Sequence, residues 1–188
     1  MNLPVYTTDT LLLEKCHAES VLESMIHTLL FHRMIYKKVK PKEATNPVYD
    51  RLHYVMIDDD RLHQVVSEKI RFALDTLKER VAGTISIIFY CTKGERGWFS
   101  GAEQIEVEKW SIPIQWHKLY DKSITHSHKE QHIKHAYESF IAMLSSAPVP
   151  VYQVVNDLPF DIIDSDKSNS LKDIFQFIVS GPPKLGIF

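Results

Sequence analysis

Of the ten histidines in this chain, five fall in one stretch as His117, His126, His128, His132 and His135, and grouped imidazoles are a first place to look for zinc. The last three are spaced to share one face of a helix. No cysteine lies within that stretch and no HExxH pattern accompanies it, so the expected arrangement is a polar helix face carrying exposed histidines. Asp58, Asp59 and Asp60 form a second possible cation cluster. They precede a helix-periodic segment, where carboxylates cap free N–H groups and favour the positive end of the dipole. Glu103, Glu106 and Glu108 are candidates for acid–base work, yet they alternate with apolar residues as the solvent face of a strand does. Ser100 has no recognisable local partner base. The chain holds no GxSxG elbow, no glycine-rich phosphate loop and no GxGxxG after a strand. The expectation is a protein that is not an enzyme, with no catalytic residue, no metal and no cofactor.

The segment Gly94 to Gly101 puts two large aromatics, Trp98 and Phe99, side by side between two strand-like runs. Loops run over the surface, so rings there either fold back into the core or are held out for a partner. Both readings are open from the residues alone. Leaving such a ring unburied forgoes about 1.5–3 kcal/mol, so exposure makes sense only where something else covers the pair.

At 188 residues, 44% hydrophobic and 24% charged, the chain reads as one globular domain over residues 1–188. A formal net charge of -2 gives no electrostatic case for nucleic acid or an anionic membrane. Cys16 and Cys91 belong to no CxxC pair and read as small buried apolar residues in a reducing compartment. No apolar run approaches the roughly 18 residues of a membrane span, and the amino terminus lacks secretory features, so a cytoplasmic protein is expected. Lys37, Lys38, Lys40 and Lys42, flanked by Pro41 and Pro47 and diluted by Glu43, read as a solvated loop.

Several elements are expected to position these groups. Residues up to Leu13 read as an irregular first strand. Val21, Leu22, Met25, Ile26, Leu29 and Leu30 predict a helix with one narrow buried stripe, with His27 and His32 at its margin. Leu52 to Ile57 reads as a short strand. Leu62, Val65, Val66, Ile70, Ala73 and Leu77 predict a second helix, with Gly83 as its stop signal. Ile85 to Cys91 predicts a central strand buried on both faces. Ile105 and Val107 alternate on one parity while Trp110, Ile112, Ile114 and Trp116 alternate on the other. A bulge near Glu108 and Lys109 reconciles the two, Pro113 places this strand at an edge or a ladder margin, and the flanking strands form a hairpin. Ile133, Tyr137, Phe140, Ile141 and Leu144 predict a third helix. Beyond it come a strand over 149–155, a polar loop over 156–170 and a last strand over 174–179.

The order of elements resembles the HORMA fold. Ile26 to Arg33, reading IHTLLFHR, and Arg96 to Ser100 followed by IEVEKWSIPI resemble the autophagy-related protein 101 family. The resemblance implies an α+β HORMA domain, with a mixed, mostly antiparallel sheet packed against about three helices, in the open, peptide-free topology. It also implies a non-catalytic adaptor subunit of the autophagy-initiation kinase complex, cytoplasmic and at the preautophagosomal structure. Such a subunit forms a heterodimer with the HORMA domain of autophagy-related protein 13 and stabilises it. Trp98 and Phe99 take the role of the family's WF finger, which recruits downstream autophagy factors. The family pattern has a proline between the two rings, whereas here they are adjacent. By the same resemblance Tyr137, Phe140 and Ile141 are candidates for the partner interface. Their spacing fits equally well a face packed on the sheet. Other assignments of the chain are a checkpoint-type HORMA protein that traps a peptide under its C-terminal strands, and a small metal-dependent hydrolase.

Overall fold

A computed structural model describes residues 3–34, 39–93, 103–117, 125–148 and 160–165. The elements are β1 (Val5–Thr7), β2 (Leu11–Leu13), α1 (Ala18–Met34), β3 (Pro41–Thr45), β4 (His53–Ile57), α2 (Asp60–Leu77), β5 (Ala82–Lys93), β6 (Glu103–Trp116), α3 (His126–Ser146) and β7 (Phe160–Asp164). Among the described residues this is an α+β arrangement of three helices, a mixed five-stranded sheet and a separate β3–β4 pair.

The sheet runs β1-β6-β5-β7, with β2 continuing along β6 beyond β1. The β5–β6 and β5–β7 pairs are antiparallel, whereas β1 and β2 lie parallel to β6. As its apolar run predicts, β5 is central, and every residue from Ile85 to Tyr90 is buried. The irregular first strand proves to be two strands, pairing with Lys109–Ser111 and Ile114–Trp116. Pro113 falls in the gap between these ladders, where its missing N–H costs no bond to β1 or β2. It marks a ladder margin and not a sheet edge, because β6 has neighbours on both sides.

One large core unites the sheet with the helices. Ile85, Ile87 and Phe89 of β5 and Trp110, Ile112 and Ile114 of β6 join Leu22, Ile26, Leu29 and Leu30 of α1, Val66 and Ile70 of α2, and Ile133 and Phe140 of α3. The single-stripe expectation for α1 fails, because eleven of its residues are buried, including Ser24, His27, Thr28 and Arg33. It packs against α2, α3 and β4 together, so its sides differ little in exposure. Ser24 and Thr28 satisfy their hydroxyls on the carbonyls of Ser20 and Ser24. The α2 expectation holds, with Asp59 accepting from the Leu62 N–H at 3.0 Å as the N-cap. Gly83 is no helix stop. The helix ends at Leu77, and Gly83 pairs with Ile114 inside β5, where an added Cβ would collide with the Leu77 side chain. Its value is close approach of the helix end to the strand.

Two loop expectations are also corrected. Residues Pro41–Thr45 form β3, antiparallel to β4 and almost wholly exposed, which removes the apolar alternation that would have revealed it. Within the expected polar loop over 156–170, Phe160–Asp164 forms β7. Its acids are buried because α2 and the residues after it supply partners. Lys69 holds Asp161 at 2.8 Å, while Thr76 and Arg80 hold Asp164 at 2.9 and 3.1 Å. The expected strands over 149–155 and 174–179 lie outside the described residues.

His27 gives the core a pH limit. It is 1% exposed and stacks between His63 and Tyr54, with Nε2 3.0 Å from His63 Nδ1. Burial, and secondarily the charge of His63, lowers its pKa to about 4. The unfolded chain takes up this proton below about pH 6.5, whereas the folded chain resists until about pH 4. Stability therefore falls as pH drops through that window, by roughly 3 kcal/mol from this group. Urea unfolding at pH 7 and pH 4.5 should show a shallower acid loss for His27→Gln than for the native chain. An identical loss in both would assign the acid limb to other groups.

Candidate functional site

The segment holding Trp98 and Phe99 connects the two longest strands among the described residues. β5 and β6 stay paired from Ala82↔Gln115 to Lys93↔Glu103. Trp98, Phe99 and Ser100 themselves lie outside the described residues. What the structure defines is the base from which that connection is carried.

The base is set by a bulge. Phe89 pairs with Glu108 and Tyr90 with Glu106, leaving Val107 as the extra residue. The bulge thus falls one residue earlier than the sequence placed it. That displacement corrects the reading of Glu108 as solvent-facing: past Val107, Glu108 shares the face of Trp110 and Ile112 and points into the core. Glu106, before the bulge, remains exposed.

Glu108 is completely buried, and Arg33 from the last turn of α1 meets it. Glu108 Oε1 accepts from Arg33 Nε at 2.8 Å, lies 2.7 Å from the second guanidinium nitrogen, and also accepts from the Trp110 indole N–H. The guanidinium lies 5.1 Å from the Trp110 ring centre. Tyr6 of β1 stacks on Trp110 at 4.4 Å, and Phe140 of α3 meets it edge-on at 5.9 Å. One buried ion pair and three aromatic rings therefore tie the hairpin to α1, α3 and β1. A guanidinium on a ring face, with a charge-assisted bond to its counter-ion, is a strong way to keep two charges out of water.

Of the interface candidates on α3, Tyr137 and Phe140 are buried in this chain's own core, and the Tyr137 hydroxyl meets Thr28 Oγ1 at 2.7 Å. Ile141 is half-buried beside them. This placement favours the sheet-packing reading of that face for Tyr137 and Phe140. The outward side of α3 carries Gln131, Lys134, His135 and Glu138, all exposed. The histidines do not converge. His126 stacks on Tyr49, His128 sits beside its N-cap Thr125, and His132 Nε2 accepts from the Leu12 N–H at 3.3 Å. Asp58 faces Lys40 at 2.8 Å, Asp59 caps α2, and Asp60 opens it. Cys16, read as buried, is exposed, and Cys91 is intermediate. Sequence reasoning missed Arg33–Glu108 altogether. Its signal was present in the parity of Glu108 with Trp110, Ile112 and Ile114.

No helix among the described residues is long and apolar enough to cross a membrane. The model of the family described as autophagy-related protein 101 matches residues 10–160. The chain is also similar to the autophagy-related protein 101 of Arabidopsis thaliana, at 25% identity over 117 residues, covering 61% of this chain and 54% of that protein. The match thus spans about half the length of that curated relative. With most of the chain, including β2 through β6 and all three helices, inside the region that the family model matches, this protein belongs to the autophagy-related protein 101 family.

Proposed function

We propose that this chain is a non-catalytic adaptor subunit of the autophagy-initiation kinase complex, built as a single HORMA domain in the open topology. In this reading it pairs with the HORMA domain of autophagy-related protein 13, stabilises it, and recruits downstream autophagy factors through Trp98 and Phe99. It works in the cytoplasm and at the preautophagosomal structure.

The observation that carries the reading is the rooted hairpin. Strands of twelve and fourteen residues lead to the connection that holds the two aromatics, and the Arg33–Glu108 pair fixes their base. A contact element needs such stiffness, because adjacent aromatics on a rigid support give a large apolar contact at small entropy cost. Membership in an autophagy family supports the process, and the α+β order supports the fold.

Pairing through α3 would use its exposed polar side together with Ile141. Lys134 is exposed, 3.9 Å from Glu138, and supports no core contact. Lys134→Glu should leave the circular dichroism spectrum unchanged and weaken pairing with the partner HORMA domain roughly tenfold, with altered salt dependence. Unchanged affinity in calorimetry would move the interface off this helix. Recovery of the purified chain with a peptide trapped beneath its C-terminal strands would instead favour the checkpoint-type reading.

A further inference from the structure

We propose that Glu14, Cys16 and His17, on the turn between β2 and α1, form a binding site for a zinc-class divalent metal ion. One ligand atom from each side chain lies within 4.8 Å of the other two. His17 Nδ1 is 3.0 Å from Glu14 Oε2. The backbone bond from His17 N–H to the Glu14 carbonyl, at 3.0 Å, closes the turn and brings these two residues together. Thiolate, imidazole and carboxylate are the three donor types zinc accepts, and the thiol selects against magnesium and calcium.

The surroundings hold the donors in place. Lys129 of α3 grips Glu14 Oε1 at 2.5 Å, leaving Oε2 directed toward His17. Tyr49, itself buried, meets the His17 ring edge-on at 5.8 Å and stacks on His126 at 5.7 Å. Outer contacts of this kind orient metal ligands and tune their affinity. Cys16 is exposed, so an ion reaches the site from solvent.

The test uses the full chain with cobalt(II) as the probe and zinc as competitor. One equivalent of cobalt should give a thiolate-to-metal charge-transfer band that zinc abolishes. Cys16→Ser should eliminate the band, while Cys91→Ser retains it. His17→Ala should weaken zinc binding at least about tenfold, with circular dichroism verifying that the fold is kept. Absence of the band, its loss in Cys91→Ser, or equal zinc affinity for Cys16→Ser and the native chain would overturn the site.

Discussion

Replacing Glu108 with alanine should remove about 3–5 kcal/mol of folding stability. Arg33 is 5% exposed and lies against the Trp110 ring, so removing its carboxylate strands a buried cation and an indole N–H together. Domains of this kind are stable by only about 5–15 kcal/mol in total, so the loss should be plain in the urea midpoint. Breaking the pair and erasing it are different experiments. An Arg33→Met, Glu108→Leu double variant leaves no charge behind and should recover most of the stability, because a buried ion pair is worth little against well-packed apolar groups. If Glu108→Ala costs less than about 1 kcal/mol, the guanidinium escapes to water and the pair is not what roots the hairpin.

The second large effect is functional. Trp98→Ala with Phe99→Ala should leave the urea midpoint within the range of ordinary surface substitutions, about 0.5 kcal/mol. Recruitment of downstream factors should fall by more than about a hundredfold, as expected for two aromatic hot spots worth about 2 kcal/mol each. Pairing with the partner HORMA domain should persist. The two variants therefore separate cleanly, since Glu108→Ala acts on the base and the aromatic double variant acts on what the base carries. A loss of several kcal/mol in the double variant would mean that the rings belong to the core.

How legible this was depended on whether a residue's environment is set locally. β5 was readable because the apolar run from Ile85 to Cys91, buried on both faces as far as Tyr90, needs no distant partner to declare itself. The α2 cap was readable because Asp59 bonds an N–H three residues away. The hairpin and its bulge followed from a clash of parities within one strand. β7 was not readable, since FDIID contains two acids whose burial depends on Lys69, Thr76 and Arg80, more than eighty residues earlier. Glu108 was missed for the same reason: Arg33 lies 75 residues before it, and a one-residue error in the bulge reverses its face. The surroundings of Cys16 likewise depend on Lys129, Tyr49 and His126, which join the turn only in the folded chain.

The claim that Trp98 is held out for a partner is open to one direct measurement, because the chain has only three tryptophans and two are accounted for. Trp110 is 0% exposed and Trp116 is 9% exposed. Iodide quenching of the native chain and of Trp98→Ala isolates the third fluorophore by difference. The account predicts a red-shifted, readily quenched difference spectrum. A blue-shifted difference that iodide does not reach would place the Trp98 ring inside the protein and contradict it.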